Sequence, residues 1–263
     1  MKVSIIQYDI KWADAEYNRQ QAEKMMMQAG QSDLYVLPEM FSTGFATSPN
    51  DIAEEGDTPP SLTWMQGIAN RLNAAVAGSV AVHCSDGSYR NRMYFVMPDG
   101  KVKYYDKRHL FTYGGEDKRY TRGEDRVIVN WRGVRFLLQV CYDLRFPVFA
   151  RNTGDYDCAI YVANWPDSRR RVWDVLLQAR AMENQCYVIG VNRTGKDVVC
   201  NYDGGSVVID AYGKAVASCS DNTAEAASID LDMERLTGFR KKFPVLQDAD
   251  YPLYGIAQNT KNN

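Results

Sequence analysis

Short continuous apolar runs, each closed by turn residues and separated by helix-patterned segments, constrain this chain more than any other feature. Residues 3–8 read as a buried strand, and residues 14–30 follow as a helix with Asp14 as N-cap and Gly30 at its end. A second strand over 34–37 is closed by Pro38, and 39–60 is a loop rich in Gly, Ser, Thr and Pro. Residues 61–73 predict a helix opened by Ser61, and 75–82 a further strand. Three hairpins then break the pattern, pairing 89–97 with 101–105, 127–129 with 134–140, and 206–209 with 214–217. Between the last two, 143–152 and 169–185 read as helices, and 158–163 and 187–191 as strands. From about residue 239 the chain is expected to be an extended arm. With no linker and no internal repeat, residues 1–263 are expected to form one domain. Crossovers mixed with hairpins point to an α/β protein with mixed sheets covered by helices. A two-layer sandwich of sheets with helices outside would bury such strands, although composition alone does not select it over other α/β architectures.

Charge narrows the partners. With 31 basic and 33 acidic side chains the net charge is −2, and the two signs are interspersed. This offers no footprint for nucleic acid or an anionic membrane, and no apolar run approaches the roughly 18 residues that span a bilayer. There are two histidines, His83 and His109, and six cysteines. A three-histidine metal centre is excluded by count, and no Cys-x-x-Cys pair exists, so no metal is expected. The cysteines lie in apolar strand-like runs, and the first apolar stretch is too short for a signal peptide. Free thiols in the cytoplasm are the expectation.

Histidine-poor chemistry must be built from other groups. Cys141 stands where the strand 134–140 stops and the helix expected at 143 begins. Such a turn exposes a thiol at a sheet end and aims helix N-terminal amides at it, which would lower its pKa. Taken alone, Cys141 also reads as one more buried thiol, the commoner fate of a free cysteine. Glu39 follows the strand ending at Leu37-Pro38, and Lys107 follows the strand ending at Tyr105-Asp106. At the rim of a dry pocket a Glu becomes a competent proton shuttle, and a nearby Lys can stabilise an oxyanion. Singly, each also reads as a solvated loop residue.

Together they are specific. Glu39 in Leu-Pro-Glu-Met-Phe, Lys107 in Tyr-Asp-Lys-Arg-His-Leu-Phe and Cys141 in Val-Cys-Tyr-Asp-Leu-Arg-Phe-Pro resemble, in order and in spacings of 68 and 34, the motifs of the nitrilase superfamily of carbon-nitrogen hydrolases. Gln7 in the opening strand, Gly78-Ser79, Asn91-Arg92 and Ala179-Arg180-Ala181-Met182-Glu183-Asn184 extend the likeness along the chain. The wording around Cys141 and Lys107, with Tyr-Val-Ala-Asn-Trp-Pro, is most similar to the Nit2-like ω-amidase branch.

The resemblance implies a four-layer αββα sandwich, a homodimer, no cofactor, and hydrolysis of small 2-oxo acid monoamides through a thioester on Cys141. In that scheme Glu39 is the base, and Lys107 and the Tyr142 backbone amide hold the oxyanion. A second glutamate is expected after the lysine. Glu116 is preferred to Glu124, which follows Gly123. Phe41, Phe45, Asn164 and Trp165 are candidate pocket residues, with core or scaffold packing the alternative for the aromatics. Arg145 is expected in a structural ion pair rather than on a substrate carboxylate, and His109 as a hydrogen-bonded support. Amidases for deaminated glutathione or an N-carbamoyl compound, and a non-catalytic binding protein on the same fold, are the competing readings.

Overall fold

A computed structural model describes residues 1–50 and 52–250. The first half of the chain builds one sheet from β1 (Lys2–Gln7), β2 (Leu34–Val36), β3 (Glu54–Glu55), β4 (Ala75–His83), β5 (Tyr89–Val96) and β6 (Val102–Asp106), with α1 (Ala15–Ala29) and α2 (Pro60–Leu72) between them. The second half supplies β7 (Ile128–Trp131), β8 (Val134–Val140), β9 (Cys158–Val162), α3 (Arg170–Glu183) and β10 (Tyr187–Val191). A small hairpin, β11 (Thr194–Lys196) and β12 (Asn201–Asp203), precedes β13 (Val207–Ile209) and β14 (Ala215–Ser218). The chain then returns through β15 (Glu225–Asp230) to pair antiparallel with β1, and ends its regular structure in α4 (Met233–Lys242). The two large sheets run in the orders β15-β1-β2-β4-β5-β6 and β14-β13-β10-β9-β8-β7, each mixing parallel and antiparallel pairs.

Alternation along each strand explains the layering. Val3, Ile5 and Phe95 of the first sheet pack with Phe136, Leu138 and Ile160 of the second in one core. Their neighbours Ile6 and Val76 turn outward onto Met26, Met65 and Ile68 of α1 and α2. Tyr161 and Val188 turn outward onto Trp173 and Leu177 of α3. Both faces of each sheet are covered, which is why these strands read as unbroken apolar runs. The result is the expected four-layer αββα sandwich of two mixed sheets with helices outside.

Four local expectations are corrected. The helix expected over 143–152 is a single 3-10 turn, Cys141–Arg145. Pro147 disfavours helical backbone at Phe146, which leaves the turn at φ −115° and ψ 84°. Ser61 does not cap α2: Pro59 occupies that position, and the Ser61 amide and hydroxyl are both held by Glu54. The chain expected to be extended from about residue 239 stays helical to Lys242 and turns again at Val245–Asp248, while the arm beyond residue 250 lies outside the described residues. The fourth is an omission, β15, whose Glu-Ala-Ala-Ser-Ile-Asp sequence is too weakly apolar to announce an edge strand.

Candidate active site

Glu39, Lys107 and Cys141 each lie just past or at the end of a strand, β2, β6 and β8 respectively, and the sandwich brings these ends to one rim. The turn carrying Glu39 is fixed from β4. Ser79 Oγ accepts the Met40 amide at 2.9 Å, and the Ser79 carbonyl accepts the Phe41 amide at 3.1 Å. Met40 takes φ +42°, a left-handed conformation that a tight turn must impose on a non-glycine residue. At Gly78 a Cβ would sit 3.0 Å from the Leu37 Cβ and 3.1 Å from the Phe41 ring, so any side chain there would have to push its neighbours aside. The Gly78-Ser79 motif is thereby accounted for.

Cys141 is also in the left-handed region, at φ +46°. The strand-to-turn elbow is braced by buried Asp143, whose Oδ2 accepts the Val140 amide at 2.9 Å and the Tyr105 hydroxyl at 2.8 Å. Asp143 Oδ1 accepts the His109 amide at 3.0 Å and lies 2.7 Å from His109 Nδ1. Because Tyr105 and His109 flank Lys107, this one carboxylate ties the nucleophile turn to the lysine segment. His109 is the support expected of it.

At the centre Lys107 Nζ lies 3.0 Å from Glu39 Oε1 and 3.1 and 2.9 Å from Glu116 Oε1 and Oε2, with all three side chains fully buried. Of the two glutamates, Glu116 is the one placed against Lys107. Glu124 lies outside, 70% exposed, on Arg108 and Arg122. Glu39 Oε2 accepts the Asn164 amide at 2.9 Å, and Glu116 Oε2 the Phe111 amide at 2.6 Å. Burial opposes the charge on Lys107, but Glu116 and then Glu39 outweigh it and hold the ammonium well above the ordinary lysine range. Burial raises Glu116 against the pull of Lys107. The Cys141 thiol is pushed well above its ordinary value by burial first and the Glu39 carboxylate second. The lowered thiol pKa expected from helix amides is thus not found: five residues of 3-10 turn offer too small a dipole to offset desolvation beside a carboxylate.

Cys141, Glu39 and Lys107 face a cavity of about 450 Å³. Tyr142, Asn164 and Trp165 line it, and the Trp165 ring is also tilted against Trp173, with ring centroids 5.4 Å apart. Tyr142 is the second residue of the 3-10 turn, so its amide is one of the N-terminal donors for which the turn itself supplies no acceptor. Phe41 is not in the wall. It is fully buried against Trp64 of α2, because the turn after Glu39 swings it to the outer face of the sheet. Phe45 takes the wall position, with Lys107 Nζ 5.2 Å from its ring centroid.

Arg145 is a further correction. No carboxylate pairs with it among the described residues; its guanidinium lies 5.3 Å from the Trp165 ring centroid and faces the cavity. The far wall, formed by Arg169 and the β11–β12 tip from Asp197 to Cys200, is not among the residues expected from the sequence. Asp197 Oδ1 accepts the amides of Val199 and Cys200 at 2.7 Å each, an Asx-type turn that its Asp-x-x-Cys wording could have signalled.

Residues 2–241 match the carbon-nitrogen hydrolase family. This chain belongs to the carbon-nitrogen hydrolases. Within the family it is 44% identical to an ω-amidase, YafV, of Yersinia enterocolitica over 253 residues, covering 95% of this chain and 97% of the relative. It is 31% identical to a 2-oxoglutaramate amidase of Bacillus subtilis, covering 96% and 98%. Among solved structures, a carbon-nitrogen hydrolase superfamily protein of Xanthomonas campestris with an arsenic adduct in its active site superposes with a TM-score of 0.91 at 40% identity, over 95% of this chain and 97% of that one. An amide-hydrolysing enzyme of this family is what the site's geometry serves.

Proposed function

We propose that this hydrolase is an ω-amidase, releasing ammonia from the terminal amide of small 2-oxo acid monoamides such as 2-oxoglutaramate and 2-oxosuccinamate. The observation that carries the reading is one cavity holding Cys141, Glu39 and Lys107 together with Arg145, a guanidinium with no protein carboxylate among the described residues. At about 450 Å³ the space is near the small end of the roughly 300–1,000 Å³ range of ligand pockets, which suits a short substrate. An amide at Cys141 with a carboxylate tail toward Arg145 satisfies both ends. The names of the two amidase relatives point the same way.

Glu39 takes the thiol proton as Cys141 Sγ attacks the amide carbon. Burial and the neighbouring Glu39 carboxylate both hold the thiol pKa up, which favours proton transfer in company with attack. The oxyanion is held by Lys107 Nζ and the Tyr142 amide. Collapse breaks the C–N bond, and Glu39 returns the proton so that ammonia leaves. A water molecule, deprotonated by Glu39, then attacks the thioester, giving the carboxylate and regenerating the thiol. Glu116 holds Lys107 from behind. The chain acts as one catalytic domain, in the cytoplasm and as a homodimer, with a small amide as its partner.

Incubating the purified protein with 2-oxoglutaramate, 2-oxosuccinamate, deaminated glutathione and an N-carbamoyl amino acid, and measuring ammonia, tests the proposal. Release from the two monoamides is expected. Silence toward both while another substrate is hydrolysed would overturn it.

A further inference from the structure

Asn91 belongs to a motif that the mechanism above leaves unused. It lies on β5 opposite Ala81 of β4, and its side chain is buried. Its carbonyl accepts the Lys107 amide at 2.9 Å, which sets the first residue after β6 in place. Its Nδ2 donates to Glu39 Oε1 at 2.8 Å and to Glu116 Oε1 at 3.2 Å. These are the same two oxygens that Lys107 Nζ reaches. Among the described residues, Lys107 and Asn91 are the only side chains whose donors are shared by both carboxylates.

The amide orientation follows from chemistry. Turned over, Asn91 would point its oxygen at two carboxylate oxygens, so Nδ2 must face them. Oδ1 is then left buried with no hydrogen-bond partner. A packing asparagine would use both ends; this one leaves its acceptor unmet while its donor serves two glutamates.

We propose that Asn91 is a positioning residue that keeps Glu39 and Glu116 together while Lys107 turns to the oxyanion, so that Glu39 Oε2, steadied by the Asn164 amide, stays in place to exchange its proton with Cys141. The ammonium has three protons, all engaged at rest by the two glutamates. Binding the oxyanion costs it at least one of those contacts. Two buried carboxylates that share these donors then repel each other, and the neutral amide is the bridge that remains. The charged and titratable groups facing Glu39 are Lys107, Glu116, Cys141 and Tyr120. Of these only Lys107 is positive, which makes an additional neutral donor consequential.

The inference rests on Glu39 acting as base toward Cys141, and its test does not depend on the substrate. Alkylation of Cys141 by iodoacetamide, followed by intact mass across pH, is compared in the wild type, N91A and N91D. A carboxylate that loses a donor protonates more readily, so the acid limb of the profile moves up by about one pH unit in N91A, and further in the near-isosteric N91D. With 2-oxoglutaramate, kcat is expected to fall about ten-fold or more while KM stays within about three-fold, since Asn91 is outside the cavity wall. A purely structural role would lower Tm and leave the limb in place. An unmoved limb in whichever variant keeps the wild-type circular dichroism overturns the proposal. A moved limb with no hydrolysis of 2-oxo monoamides keeps Asn91 as the positioning residue and rejects the substrate instead.

Discussion

Replacing Glu116 with glutamine isolates what the second carboxylate does. In the native site Oε1 faces two donors, Lys107 Nζ at 3.1 Å and Asn91 Nδ2 at 3.2 Å, and Oε2 faces two more, Lys107 Nζ at 2.9 Å and the Phe111 amide at 2.6 Å. The glutamine amide of E116Q must put its NH2 in one of these places, and either one sets it against two donors. Leaving a buried donor unmet costs about 1–3 kcal/mol, so E116Q is expected to lower stability on that scale. The cheaper relief is for Lys107 to withdraw toward Glu39, away from the position from which it meets the oxyanion. Loss of one oxyanion donor costs about 100- to 1,000-fold in rate, and E116Q is expected to reduce kcat in that range. KM should change by less than about three-fold, because Glu116 lies behind Lys107 and not on the cavity wall. Steady-state ammonia release from 2-oxoglutaramate, with Tm measured alongside, reads both quantities. If kcat and Tm both stay close to wild type, Lys107 is placed by Glu39 alone and the role given to Glu116 is wrong.

Arg145 and the buried thiols give two further expected outcomes. R145Q should raise KM for 2-oxoglutaramate by about 10- to 100-fold, the worth of a charge-assisted hydrogen bond, and leave hydrolysis of an uncharged short amide unchanged; equal losses on both substrates would remove Arg145 from carboxylate recognition. Buried Cys186 and Cys219 are pushed up to about 12 by burial, and Tyr8 and Tyr161 are raised too. The unfolded chain therefore releases these protons first as pH rises, and each of the two cysteines removes about 1.4 kcal/mol of stability per pH unit between roughly 9 and 12. Urea midpoints should be flat from pH 7 to about 8 and fall steeply above 9, and a midpoint that rises over that range would contradict the burial assigned to these thiols.

The parts of the fold legible in the sequence are those where one local signal suffices. Residues 187–191 read as a strand and are one, because a run buried on both faces needs no partner to be recognised. Asp14 is legible as a cap, since its side chain accepts the Tyr17 amide within its own turn. Ser61 carries the same signal and does something else, because Glu54 competes for its hydroxyl and no local rule foresees β3. The site divides likewise. Glu39, Lys107 and Cys141 stand at strand ends, where the chain itself advertises a change of structure. The cavity wall does not, since Arg145, Phe45 and the β11–β12 tip meet only after the two sheets pack. Phe41 and Phe45 are four residues apart in one loop, and the left-handed turn at Met40 sends one to α2 and the other to Lys107.

The left-handed residues also explain why the motifs are longer than the chemistry alone requires. A non-glycine residue at positive φ costs on the order of 1–2 kcal/mol, and the site contains two, Met40 and Cys141. Each is held by a buried polar group: Ser79 of β4 on the Met40 amide, and Asp143 on the Val140 amide, with Tyr105 and His109 securing Asp143 from the β6 side. Arg180 of α3 completes the second brace, donating to the Leu144 carbonyl at 2.6 Å. The residues flanking Lys107, the Cys-Tyr-Asp run and the Ala-Arg-Ala run of α3 are therefore one mechanical unit. Its work is to hold a thiol in a conformation that the backbone does not favour. Glycine at Cys141 would relieve the strain but abolish the nucleophile, so the strain is borne and the bracing must come from outside the turn. That requirement, rather than the reaction alone, ties distant segments of the chain to one another.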